Sequence, residues 1–157
     1  MENIEYTYVM LKPDGVRKNI LNEVIRRFNN ADLEVLHTKR FMLTKEQLRE
    51  HYAHVVERDF YPDMEKNMLS GSVIAMIVRG NDAVNKVRTL MGPTNSKDAL
   101  PGTIRGDFGN KEICNQNAIH GSDSVENAKI EIARFYDGLT IEEIEKDLKV
   151  KIKKITK

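Results

Sequence analysis

The hydrophobic positions change period several times along the chain, and each change marks an element. Tyr6 to Leu11 is rich in strand formers and stops at Lys12-Pro13-Asp14-Gly15, where proline and glycine break a strand and Asp14 is placed to cap a helix. From Val16 to Asn30, the residues Ile20, Leu21, Val24, Ile25 and Phe28 recur at helical spacing between arginines and asparagines, which predicts one helix with one core face. Leu33 to Phe41 reads as a strand, and Thr44-Lys45-Glu46-Gln47 is a capping-box pattern that predicts a helix through about His54. A short helix is expected over Asp63 to Leu69. Ser72 to Val78 is a nearly continuous apolar run of strand length, which suggests a central strand and the leading part of the core.

Asp82 to Met91 reads as a helix ended by Gly92-Pro93, and Thr94 to Gly109 is a long stretch of glycine, proline and polar residues. Compact domains seldom keep a loop of that length without a use. Ala118 to His120 is a short strand, and Asp123-Ser124-Val125-Glu126 opens a helix with the stripe Val125, Ala128, Ile132 and Phe135. After Gly138, Thr140 to Leu148 reads as a capped helix, and Val150, Ile152 and Ile155 among lysines read as a solvated charged end. The order β-α-β-α-β-α-β, with extra helical segments between the second and third strands, predicts an α/β chain of the α+β sandwich kind. The expected form is ferredoxin-like, a four-stranded antiparallel sheet with helices covering one face. The 157 residues suit one domain spanning 1–157, with 138–157 as a C-terminal extension.

Composition narrows the class. With 40% hydrophobic and 31% charged residues the chain reads as a soluble globule. No apolar run approaches the roughly 20 residues that span a bilayer, and Glu2 and Glu5 stand where a secretory leader carries positive charge, so the expected address is the cytoplasm. Cys114 is the only cysteine, which excludes an intrachain disulfide. Lys+Arg 25 against Asp+Glu 24 leaves a net charge of +1, without the basic excess that drives non-specific nucleic-acid binding.

The sharpest local feature is Asn117-Ala118-Ile119-His120-Gly121-Ser122-Asp123-Ser124, which puts an imidazole at a strand end, beside a glycine and just before a helix. Taken alone, such a histidine is more often structural or simply exposed. Glu131, on the same face of the following helix as Ser124, is placed to reach back to it, and a carboxylate on one ring nitrogen leaves the other free as a nucleophile. Phosphoryl transfer needs positive charge around the phosphates, and Lys12, Arg58, Arg88, Thr94 and Arg105 are the candidates. Each basic residue by itself is commonly a surface charge. Lys12, closing an apolar strand, and Arg105, within Pro101-Gly102-Thr103-Ile104-Arg105-Gly106, have settings that favour a site. The chain has no G-x-x-x-x-G-K-[ST] loop and no H-R-D-L-x-x-x-N loop, so the usual kinase devices, D-F-G metal binding included, are not expected. The spacing of His37, His51, His54 and His120 fits no zinc site.

These residues resemble a known family. Asn-x-x-His-Gly-Ser-Asp-Ser at 117–124 is similar to the active-site signature of nucleoside diphosphate kinases. Tyr8-Val9-Met10-Leu11-Lys12-Pro13-Asp14-Gly15-Val16, Ser70-Gly71 with Ala75-Met76, Gly92-Pro93-Thr94-Asn95 and Pro101 to Phe108 resemble further blocks in the same order, over residues 5 to 136. The resemblance implies transfer of the γ-phosphate of a nucleoside triphosphate to a nucleoside diphosphate, by a ping-pong path through a phosphohistidine on His120. It implies that Lys12, Arg88, Thr94 and Arg105 hold phosphates, that Lys12 and Asn117 contact sugar hydroxyls, and that Tyr52 and Arg58 stand near the transferred group. Glu131 would orient His120 with help from Ser122, and Phe60 would stack on the base. Mg²⁺ would ride mainly on the phosphates. A homo-oligomer, hexamer before tetramer, is also implied.

The sequence departs from that pattern between Phe108 and Asn117, which is longer by about two residues and lacks a Gly-Arg pair, leaving Ile113 and Cys114 as alternative second walls for the base. Asp59 and Ser72 replace common prolines, and the tail after Gly138 aligns with nothing. Two other readings remain: a nucleic-acid-binding module, disfavoured by the charge and the lack of an RNP1-like run, and a silent family member acting in assembly.

Overall fold

The computed structural model describes residues 2–156. Strands β1 (Ile4–Leu11), β2 (Glu34–Phe41), β3 (Val73–Asn81) and β4 (Ile119–Gly121) form one sheet in the order β2-β3-β1-β4, with every neighbouring pair antiparallel. This is the ferredoxin-like order expected, and β3 lies inside the sheet as its apolar run requires.

Helices cover both faces, where the sequence reading placed them on one. Alternation along β1 sends Val9 and Leu11 to one face, with Ile74, Met76 and Val78 of β3, and Tyr6, Tyr8 and Met10 to the other, with Val73, Ala75 and Ile77. On the first face lie α2 (Leu21–Asn30), α5 (Ala83–Met91) and α6 (Ile104–Phe108), through Val24, Phe28, Val87, Met91 and Ile104. On the second lie α3 (Lys45–His51), α4 (Tyr61–Met68), α7 (Val125–Phe135) and α8 (Ile141–Thr156), through Leu48, Met64, Met68, Ile132, Phe135 and Ile144. The apolar run Val73 to Val78 of β3 is buried on both sides.

Local chemistry sets the element ends. Thr44 and Gln47 form the capping box read from the sequence, each side chain bonding the other's backbone N–H, a contribution of about 1 kcal/mol. Ser124 caps α7 by accepting from Asn127 N at 3.1 Å. The expected helix over 16–30 is two helices, α1 (Pro13–Arg17) and α2, because Asn19 adopts φ 56, outside the helical region. Asp14 is no cap. It sits buried within α1, and its Oδ2 accepts from Ala118 N at 2.9 Å. The helix expected to reach His54 ends at His51 and continues as a 3₁₀ turn, Ala53–Val55. The stretch 94–109 contains a 3₁₀ turn at Ser96–Asp98 as well as α6. At the C-terminus α8 runs on to Thr156, with Ile144 wholly buried while Val150 and Ile155 stand exposed.

Candidate active site

β4 pairs with the C-terminal end of β1, Met10 opposite His120, and so brings the first and last strands of the sheet to one place. Two contacts tie the segments down: Lys12 N donates to Ala118 O at 2.9 Å, and the Asp14 carboxylate takes Ala118 N. Ala118 holds φ 72, a left-handed conformation that costs an L residue about 1 kcal/mol or more. Gly15 permits the approach, since a Cβ there would meet Ala118 O at 2.4 Å. The backbone is thus turned sharply just before His120.

His120 lies on the floor of a cleft of about 1100 Å³. Its Nε2 is hydrogen-bonded to Glu131 Oε1 from α7, so Nδ1 is the ring nitrogen left without that partner. His51 packs against the imidazole from α3, ring centroids 4.7 Å apart at 79°.

Around this floor stand the cations Lys12 and Arg105, buried, and Arg88, exposed. Lys12 Nζ donates to Asn117 Oδ1 at 2.8 Å and to Asn115 O at 3.1 Å. Burial brings its ammonium down to about 8, aided by Arg105 and opposed by Asp14. Arg105 donates to Ile119 O at 2.8 Å and Gly92 O at 3.1 Å; burial, then the charge of Arg88, lowers it to about 10, still cationic at neutral pH. Arg88 donates to Gly121 O at 3.3 Å. Asn117 bridges Lys12 and the Thr94 carbonyl, to which its Nδ2 donates at 2.8 Å. The desolvated charges of Lys12 and Arg105, with Arg88 beside them, focus a field suited to a polyanion. Tyr52 lines the cleft, and burial raises its phenol well above the ordinary value.

Lys12, Tyr52, Phe60, Arg88, Thr94, Arg105, Asn117, His120 and Glu131 all line the cleft. Two of the residues named from the sequence do not. Arg58 stands at the rim with its guanidinium 5.9 Å from the centre of the Phe60 ring, and Ser122 is buried behind β4, its N and Oγ both directed to Tyr8 O. Phe60 is half exposed, and Ile113 and Cys114 line the same cleft. Their loop is closed by Asn110, whose Oδ1 accepts from Glu112 N and Ile113 N, and it is moored through Asn115 O to Lys12 and Asn67. The tripeptide Asp107-Phe108-Gly109 does spell D-F-G, but Asp107 pairs with Arg27 at 2.7 Å and accepts from Gly102 N, outside the cleft. Sequence reasoning missed His51 and Arg134. Arg134 follows Glu131 by one helical turn, which was the available signal.

A ferredoxin-like sheet that presents a carboxylate-backed imidazole in a cleft lined by Lys12, Arg88 and Arg105 defines a nucleotide phosphotransferase. Comparison with known proteins makes this specific. The family model described as nucleoside diphosphate kinase matches residues 5–141. The nucleoside diphosphate kinase of Wolinella succinogenes is 46% identical over 138 residues, 88% of this chain and 99% of that protein. Human nucleoside diphosphate kinase 3 is 46% identical over 84% of this chain and 77% of its own. The solved structure of a halophilic nucleoside diphosphate kinase from Halobacterium salinarum in complex with CDP superposes with a TM-score of 0.81 at 39% identity, covering 86% of this chain and 89% of that one. The chain belongs to the nucleoside diphosphate kinase family, and its activity is that of the family, a phosphotransfer between nucleotides.

Proposed function

We propose that His120 carries the phosphoryl group. The observation that supports this is the hydrogen bond from His120 Nε2 to Glu131, which fixes the tautomer and leaves the Nδ1 lone pair as the nucleophile. Nδ1 attacks the γ-phosphorus of a nucleoside triphosphate, the bond from phosphorus to the β,γ-bridging oxygen breaks, and the diphosphate leaves with that electron pair. A second diphosphate then attacks the phosphohistidine through its terminal oxygen and reverses the path. The nitrogen–phosphorus bond keeps high transfer potential, which a serine ester would not, so exchange stays reversible.

Lys12, Arg88, Thr94 and Arg105 hold the phosphates, and their preset positions lower the cost of charge spreading over the transferred group. Asn117 and Lys12 take the sugar hydroxyls. Tyr52 and Arg58 stand near the transferred group, Arg58 from the rim. Phe60 stacks on the base opposite the loop of Ile113 and Cys114, an interaction open to every base because each has a π-face. Glu131 orients His120, and Ser122, bonded to Tyr8 O, steadies β4 beneath it.

Mg²⁺ fits as a metal carried by the nucleotide. Lys12, Arg88 and Arg105 are cationic, and among the described residues the one cluster of ligand-type groups, His51, His120 and Glu131, offers two nitrogens where Mg²⁺ takes oxygens. Carried on the nucleotide phosphates, it would neutralise charge there. The remainder of the reading is a single domain of residues 1–157 with 138–157 as an extension, a cytoplasmic address, and a homo-oligomer, hexamer before tetramer. Among the described residues no helix is long and apolar enough to cross a membrane.

The test is to mix the protein with Mg²⁺ and ATP labelled on the γ-phosphate, without acceptor. Acid-labile, alkali-stable label on the protein that moves to added GDP is the expected result. No label, with ATP still bound, would remove the phosphohistidine and favour the assembly role.

A further inference from the structure

Behind the nucleophile lies a pair of residues that the phosphoryl-transfer reading does not use. Arg134, on α7, has Nη1 2.8 Å from His51 Nδ1. A guanidinium has only hydrogens to offer, so Nδ1 of His51 must be the acceptor and its ring proton must sit on Nε2. His51 is almost wholly buried, wedged edge-on against His120 at 4.7 Å, Tyr52 at 4.7 Å and Phe135 at 5.2 Å. One ligand-type atom each of His51, His120 and Glu131 lies within 4.8 Å of the others. A charged His51 here would be a second partner for the Glu131 carboxylate and a positive neighbour for His120.

We propose that Arg134 is a positioning residue for the nucleophile: by donating to His51 Nδ1 it holds His51 in one neutral tautomer, which keeps Glu131 for His120 alone. The proposal rests on His120 being the nucleophile. The groups facing His51 agree with it. Arg134 and Glu131 come from α7, His120 from β4, Lys12 from the end of β1, and Tyr52 and His54 from His51's own segment. Burial first, then His120, Arg134, His54 and Lys12, all oppose a proton on His51 and bring it down to about 2. Arg134 is itself anchored, 3.5 Å from the exposed Glu50 carboxylate. The same hydrogen bond argues against a metal at this cluster, because coordination through Nδ1 would displace Arg134 and coordination through Nε2 would need a proton on Nδ1 facing it.

The experiment compares the wild type with Arg134→Met and Arg134→Lys. Phosphoenzyme formation from γ-labelled ATP is followed in single turnovers from pH 5 to 8, and the imidazole ¹⁵N resonances are read over the same range, with His51→Gln giving the assignment. In the wild type His51 should show the Nε2-protonated, neutral pattern throughout. Arg134→Met should leave His51 neutral, because burial is the larger cause, but should show the Nδ1-protonated tautomer beside the Nε2-protonated one and lower the single-turnover rate by about threefold or more with the pH profile unshifted. Arg134→Lys, which keeps a donor, should restore the wild-type tautomer and rate. Three results would overturn the proposal: a proton on wild-type His51 Nδ1 above pH 5, an Arg134→Met protein whose His51 keeps the pure Nε2-protonated pattern, or an Arg134→Met single-turnover rate equal to the wild type. The tautomer readout needs no turnover, so it is independent of whether His120 takes phosphate.

Discussion

At the residue scale the cleft is a set of charges held where water cannot fully solvate them. His120→Ala should abolish exchange, by at least about a thousandfold in kcat/KM, with the thermal transition nearly unmoved, because a half-buried ring at a strand end supplies little core. Turnover near the wild-type rate would exclude the nucleophile. Lys12 carries a second prediction. Its pKa in the fold is about 8 against an ordinary 10.5, so the free protein holds less than one proton there above pH 8, and phosphate contact restores it. ADP binding at pH 8.5 should therefore take up a proton, approaching none at pH 6.5, as calorimetry in buffers of different ionisation enthalpy would show. The same shift has a sign for stability: a group whose folded pKa is depressed contributes above the unfolded value and loses that contribution as pH falls through about 8. Between those values the fold should gain with rising pH, and Lys12→Met should lose that slope.

At the element scale the site depends on two chain segments brought into register, the turn after β1 and the strand β4. Gly15 is where they touch most closely, and Gly15→Ala would drive a methyl into Ala118 O, 2.4 Å from the ideal Cβ position. The expected loss is about 3 kcal/mol in urea denaturation, together with a fall in exchange rate as His120 is displaced. Stability without rate loss would mean that the segment relaxes away from the nucleophile. The capping motifs were legible because they are local: Thr44 and Gln47 lie three residues apart and need no tertiary partner to be recognised. Asp14 misled for the complementary reason. Its side chain has the chemistry of a cap, but a buried N–H more than a hundred residues away, that of Ala118, is its partner.

At the scale of the whole molecule, two apolar layers sandwich the sheet, and α8 completes the second although the family match ends at residue 141. Ile144→Ala should cost about 2–5 kcal/mol while leaving saturated turnover unchanged, whereas Ile155→Ala, at an exposed position, should change stability by less than about 0.5 kcal/mol. Equal effects would mean that the end of α8 is packed as its beginning is. Assembly is also a whole-molecule property: light scattering is expected to give a homo-oligomer, and a stable monomer at working concentration would remove that part of the reading.

The sequence by itself determined the strand and helix periods, the antiparallel ferredoxin-like order, the family, and most of the candidate site residues found in the cleft, because periodicity and motifs are written in neighbouring positions. Tertiary structure alone decided that both sheet faces are covered, that Asn19 breaks a helix whose apolar spacing is uninterrupted, and that Arg58 and Ser122 stand outside the cleft. It alone paired Arg134 with His51, eighty-three positions apart. Those outcomes depend on which surfaces meet when distant segments pack, and a linear pattern records what each residue can do without recording what it will touch.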